Sequence, residues 1–132
     1  MPFEELAHTA DWALRVRAAD LPKLFAESAR GMNALSGARA ATGPRAHRIV
    51  TLSAPDAESL LVAFLSELVY AAEQEQMMFD EFKIQIEGQT LKAKMDGAPL
   101  ESINKTIKAV TYHNLQIREI EGGVEVEIVF DV

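Results

Sequence analysis

The chain contains no cysteine in its 132 residues. That absence excludes a disulfide framework, thiolate zinc sites and cysteine nucleophiles together. Any metal must therefore bind through oxygen, or through nitrogen from one of three histidines. Positive charge is also scarce: 13 Lys and Arg against 20 Asp and Glu leave a net charge of −7. The broad basic footprint of an autonomous nucleic-acid binder is missing, so any direct RNA contact would have to be local. Long apolar runs are lacking too. The stretch from Leu60 to Ala72 is interrupted by Ser66 and Glu67 and is too short to cross a bilayer. The start, Met1-Pro2-Phe3-Glu4-Glu5, has neither the basic nor the apolar region of a signal peptide. A cytoplasmic protein is expected. A Gly-rich phosphate loop, a nucleophile elbow and a His-Glu-x-x-His motif are all absent, which removes the common enzyme signatures.

What is present is ordinary for a globular domain: 48% hydrophobic and 25% charged residues. A chain of this length fits a single domain, residues 1–132, that buries roughly two-thirds of its unfolded surface. Trp12, Leu14, Val16 and Ala18 alternate with Ala13, Arg15 and Arg17, which predicts a half-buried strand. Asp20 then reads as an N-cap, and the helical spacing of Leu21, Leu24, Phe25, Ser28, Met32 and Leu35 predicts a helix from Leu21 to Ser36, stopped by Gly37. Gly37 to His47 reads as an exposed loop. Arg48 to Ala54 reads as a strand, and Pro55-Asp56 opens a second helix, to about Gln74, with Leu61, Phe64, Leu65 and Leu68 inward.

Farther on, Phe82–Ile86 and Leu91–Met95 alternate around Gly88-Gln89 as a hairpin, and Asp96-Gly97 is expected to turn the chain. Ile107–Tyr112 and Leu115–Ile120 read as one irregular strand. Gly122-Gly123 turns into a last strand, Val124 to Phe130, followed by Asp131-Val132. Two helices and about six strands, the later ones antiparallel, imply an α+β protein with a mostly antiparallel sheet packed on two helices.

Strand parity places Val124, Val126, Ile128 and Phe130 on one face and Asp131 on the other. Asp11 falls outside the apolar face of the first strand. If the first and last strands are neighbours, Asp11, Asp131 and the α-carboxylate of Val132 could converge on one hard cation, which takes oxygen ligands. The plainer alternative has Asp11 capping a turn and Asp131 solvated. His8 could add a nitrogen ligand or serve a hydrogen-bonded structural role. Lys108 could guard a strand edge or supply a point charge to a phosphate or carboxylate. His113 lies on the opposite parity from Lys108, and spacing alone assigns neither to acid–base chemistry. Met77-Met78-Phe79 reads first as core and second as an adaptable partner-binding lip. The acidic group Glu73, Glu75, Asp80 and Glu81 reads first as solvated surface and second as a face for a basic partner.

His8-Thr9-Ala10-Asp11, Lys108-Ala109-Val110-Thr111-Tyr112-His113 and Phe130-Asp131-Val132, in that order and in a chain of this length, resemble the archease family over nearly the whole sequence. The resemblance implies an SHS2-type α+β fold and a non-enzymatic accessory role. Such a protein promotes guanylylation and multiple turnover of an RtcB-type RNA-splicing ligase, and meets RNA only through that ligase. It also implies a divalent cation, calcium in known members, with magnesium or manganese equally suited to oxygen ligands. By the same resemblance Asp11, Asp131 and Val132 would hold the cation, and Lys108 would take part in activation, with His8 and His113 close by in the matching motifs. One departure is visible: Glu101-Ser102-Ile103-Asn104-Lys105-Thr106 lacks the histidine usual before the Lys-Ala-Val-Thr-Tyr-His segment. A plain protein-interaction module and a metal-dependent phosphoester hydrolase are the competing functions.

Overall fold

The computed structural model describes residues 2–6 and 12–132. Within them the chain forms β1 (Phe3–Leu6), β2 (Trp12–Ala18), α1 (Leu21–Ser36), β3 (Arg39–Ala40), β4 (Ala46–Ser53) and α2 (Ala57–Tyr70). A π-helical turn (Ala71–Glu75) follows, then β5 (Met77–Glu87), β6 (Thr90–Ser102), β7 (Ala109–Val110), β8 (Arg118–Ile120) and β9 (Gly123–Asp131). No helix among the described residues is long and apolar enough to cross a membrane.

The helices begin and end where their sequences dictate. The Asp20 carboxylate accepts the Lys23 amide at 2.9 Å, and Asp56 accepts that of Ser59 at 2.7 Å, each satisfying an orphan donor of the first turn. At the other end of α1, Gly37 adopts a left-handed conformation (φ 69°) and returns its N–H to Ala34. Gly31 serves proximity: a Cβ there would lie 2.5 Å from Leu14 Cδ2, so its absence lets α1 settle onto β1 and β2. The buried Ser28 hydroxyl donates to the Leu24 carbonyl at 2.7 Å, which removes the cost of its burial.

Two antiparallel sheets pack around the helices. The first has the order β1-β2-β9-β7, with β8 also pairing β9. In the second, β6 is central, with β5 along one edge and β4 then β3 along the other. One core joins both sheets and both helices. Leu14, Val16, Val126, Ile128 and Phe130 enter from the first sheet, Leu91, Ala93 and Met95 from the second. Phe64 of α2 sits between them, stacked on Phe25 at 6.1 Å and edge-on to Phe82 at 6.0 Å.

The expected α1 coincides with the helix observed, and α2 begins one residue after its cap, although its last turn is π-helical rather than α. Other expectations need correction. Asp96-Gly97 does not turn the chain: β6 continues to Ser102. Gly97 is required because a Cβ there would stand 2.1 Å from the Met78 carbonyl, where β5 bulges between Phe79 and Glu81. The segment from Ile107 to Ile120 is not one strand. It makes only β7 and β8, separated by a turn in which Asn114 is left-handed (φ 51°) and Leu115 bonds back to Tyr112. Within the supposed loop from Gly37 to His47 lie β3 and the start of β4. The described residues thus hold nine strands rather than about six, β1 among those unforeseen.

The outer face of the first sheet carries a ladder of charge. Arg15 pairs with Glu4 and Glu127, and Glu125 is shared by Arg17 and Arg118. Glu125 is buried, 7% exposed. The hydrogen bond from Arg17, then the charges of Arg17, Arg118 and Arg15, hold its carboxyl below the usual range for glutamate against the opposing effect of burial. Two outcomes follow. Phe64→Ala should cost about 3–5 kcal/mol in urea unfolding, since it empties the junction of both sheets. Glu125→Gln should unfold more easily than the unmodified chain at neutral pH. Because the native value is depressed, the Glu125 contribution is complete above the unfolded value near ~4.3 and is lost as pH falls through the lower native value. The gap between the two proteins in urea midpoint should close over that acid window and persist above it.

Candidate functional site at the end of the last strand

β9 is held on both edges at its C-terminal end. On one side β2 runs antiparallel in register from Ala18↔Val124 to Trp12↔Phe130. The adjacency of first and last strands that a shared cation would require is therefore present, with β2 reaching its described beginning level with the end of β9. Asp11 precedes Trp12 in the sequence, but Asp11 and His8 lie outside the described residues. On the other side β7 pairs Ala109 with Asp131 and Val110 with Phe130.

This second pairing ties the Lys-Ala-Val-Thr-Tyr-His segment to the chain end. The Lys108 amide donates to the Asp131 carbonyl at 2.8 Å. The Val129 carbonyl accepts twice from Thr111, from its amide at 3.0 Å and its hydroxyl at 2.9 Å. Lys108 and Asp131 are exposed, and neither side chain makes a hydrogen bond or ion pair with another described residue. Val132 is half-buried against the core. A lysine ammonium and a carboxylate thus project from neighbouring backbone held at the end of one sheet.

His113 is placed differently. It stands beyond β7, exposed, with its amide 3.3 Å from Thr111 Oγ1 and its Nε2 3.3 Å from Asn114 Nδ2. Parity cannot set its direction, because β7 spans only two residues. Tyr112 is 60% exposed for the same reason, although parity alone puts it with the buried Val110.

No group of three or more His, Asp or Glu among the described residues could hold a metal. Of the expected donors, Asp131 and Val132 are described and Asp11 is not. The donors that are described are oxygens, the ligand chemistry a hard divalent ion takes.

Sequence reasoning missed a second concavity. The π-helical turn and the left-handed Gln76 (φ 54°) open a cavity of about 310 Å³ lined by Met32, Leu68, Val69, Met77, Phe79 and Ile107. Its only signal in the sequence was the Met77-Met78-Phe79 run. Of the acidic group nearby, Glu75 is paired with Arg48 and Asp80 with Arg45, so these two are tied to the fold rather than simply solvated as expected.

Fold and site together define a small α+β protein that carries its chemically distinctive residues at one sheet end. The family model described as the Archease protein family (MTH1598/TM1083) matches residues 3–132. Protein archease of Methanosarcina barkeri is 34% identical over 143 aligned residues, covering 98% of this chain and 95% of that protein. Protein archease of Methanopyrus kandleri is 30% identical, with both chains covered completely. The solution structure of Methanobacterium thermoautotrophicum protein 1598 superposes with a TM-score of 0.72 at 24% identity, covering 99% of each chain. The crystal structure of a Thermotoga maritima archease, described as a possible chaperone, gives the same TM-score at 21% identity, over 98% of this chain and 96% of that one. The chain belongs to the archease family.

Thr111→Val, which keeps the Thr111 amide bond but removes the hydroxyl's bonds to the Val129 carbonyl and the His113 amide, should cost on the order of 1 kcal/mol. Hydrogen exchange at the Lys108 amide should accelerate with it, since that amide is the next link of the same ladder.

Proposed function

We propose that this protein is a non-catalytic, metal-dependent activator of an RtcB-type RNA-splicing ligase, promoting guanylylation of the ligase and its multiple turnover. The observation that carries the reading is the pairing of β7 with the end of β9, which sets Lys108 beside Asp131, in a member of the archease family. The description of the Thermotoga maritima relative as a possible chaperone agrees with a protein that acts on another protein.

Asp131, Asp11 and the α-carboxylate of Val132 are the residues assigned to a divalent cation, calcium first, with magnesium or manganese as alternatives. When bound, such an ion supplies positive charge that offsets the charge of a nucleoside triphosphate in the transition state. The chain's own part is positional. Its pairing with Ala109 of β7 and the bond from the Lys108 amide fix the backbone of Asp131, so its carboxylate is presented with little freedom to lose. Lys108 adds a mobile point charge one residue from the Asp131 partner position, suited to a phosphate or a partner carboxylate. His8 and His113 are assigned supporting roles in ligase contact. In that role the site would meet RNA through the ligase, in the cytoplasm.

The decisive measurement is multiple-turnover RNA ligation by an RtcB-type ligase with and without this protein. Asp131→Ala should keep the circular dichroism spectrum and lose stimulation by at least the roughly 10- to 100-fold that removing a mere outer-shell partner brings. Asp11→Ala should do the same, and so should a short extension after Val132, which removes the terminal carboxylate. Absence of stimulation by the unmodified chain would overturn the proposal. Stimulation that survives Asp131→Ala would favour a plain interaction module, and phosphoester turnover by the protein alone would favour a hydrolase.

A further inference from the structure

The outer face of the second sheet carries three lysines that the rest of the charge pattern does not explain. Lys92 and Lys94 lie on β6 and Lys83 lies on β5, all exposed, opposite the buried Leu91, Ala93 and Met95. Register brings them together. Lys83 is directly opposite Lys94, which is flanked on its other side by Ile49; Lys92 lies between Gln85 and Thr51. Like charges directly opposite across an antiparallel pair are destabilising, so the sheet tolerates this row rather than gaining from it.

None of the three makes an ion pair with a described residue. Six of the seven arginines behave in the opposite way: Arg15, Arg17, Arg30, Arg45, Arg48 and Arg118 are committed to carboxylates, and only Arg39 makes no ion pair with a described residue. Nor are Lys92 and Lys94 edge guards, because β6 is the central strand of its sheet. The nearest carboxylates sit at the ends of the face. Asp96 is engaged by His47, beside Glu81, at one end, and Glu87 lies at the other. The middle is a local positive patch on a chain whose net charge is −7.

We propose that this face binds the phosphate backbone of single-stranded RNA, without reading its sequence. Lysine binds phosphate as a compact point charge. Protein interfaces are instead enriched in arginine and in Tyr, Trp and Phe and depleted in lysine, and on this face the strands show no arginine, Tyr, Trp or Phe beside the lysines; its one exposed ring is the His47 imidazole at the Asp96 end. The lysines of β6 stand about 7 Å apart along the strand, comparable with successive phosphates on an extended chain. Ile49, 61% exposed beside Lys94, offers a flat apolar surface to a sugar or base. The face belongs to the other sheet from Lys108 and Asp131, so it serves RNA independently of the site assigned above and goes beyond that assignment.

The test is fluorescence anisotropy of a labelled single-stranded RNA with the full-length protein and no ligase, across a range of salt. The failure of the ligase proposal would leave this result untouched. The unmodified protein should bind saturably at low salt. The combined variant Lys83→Gln, Lys92→Gln, Lys94→Gln should bind roughly tenfold or more weakly, its log–log salt slope shallower by about two, as expected for three lost phosphate contacts on a single strand. Lys105→Gln, an exposed lysine outside the face, should bind as the unmodified chain does. The proposal is overturned if the unmodified chain fails to bind, or if the triple variant binds equally while circular dichroism shows both folded. It is overturned too if polyglutamate displaces the RNA at equal charge concentration, which would assign the face to an acidic protein.

Discussion

The antiparallel pairing of β2 with β9 is the contact on which everything else hangs. It joins residues separated by more than a hundred positions, as the Arg15–Glu127 pair (112 apart) records. Closing so long a loop is entropically costly, and the cost is met by burial. Leu14 and Val16 from one strand and Val126, Ile128 and Phe130 from the other are almost wholly removed from water, over the helices made by the residues between them. On the opposite face the same two strands are stitched by arginine–glutamate pairs. Such non-local pairing raises the contact order, which slows folding relative to a helical bundle of this size.

What could be read from the sequence was what depends on local periodicity. Helix α1 has the expected limits because its cap, its apolar spacing and its stop all lie within the segment itself. The outward parity of Asp131 is likewise a property of nine consecutive residues, Gly123–Asp131. What could not be read depends on distant partners. Gly97 carries a turn residue's signature, yet its reason is the Met78 carbonyl across a bulge in another strand. Ile107 to Ile120 looks apolar and alternating enough for a strand, but it pairs with β9 only through Ala109–Val110 and Arg118–Ile120, and the stretch between is held by distant contacts such as that of Glu58 with Ile117. Lys108 and Asp131 were recognisable as distinctive residues in the sequence. That a hydrogen bond joins their backbones was not, since nothing local encodes it.

Charge is distributed with a division of labour. Arginine is spent on structure: on the ladder over the first sheet, and on Arg45 and Arg48, which tether β5 and the π-helical turn through Asp80 and Glu75. Arg48 also lies over the Phe79 ring, 5.0 Å from its centroid. Lysine is mostly kept in water: among the described residues only Lys23 stands within ion-pair distance of a carboxylate, that of Asp20. The guanidinium fork suits fixed bidentate contacts, whereas the ammonium on a flexible stem keeps its hydration and can be recruited by whatever arrives. The cavity beneath the π-helical turn adds flexible methionines to the same surface region, where repacking is cheap.

The outer edge of β9 is covered by two fragments, β7 of two residues and β8 of three, with a looped segment between them. That loop is not loose: the Glu58 carboxylate on α2 accepts the Ile117 amide at 2.9 Å and fastens it to the helix. A long, flat, apolar strand at this position would be a template for edge-to-edge growth into fibres. Broken into short pieces with a pinned loop between, the sheet closes its own margin, and the apolar last strand can be carried at the rim of the molecule without inviting aggregation.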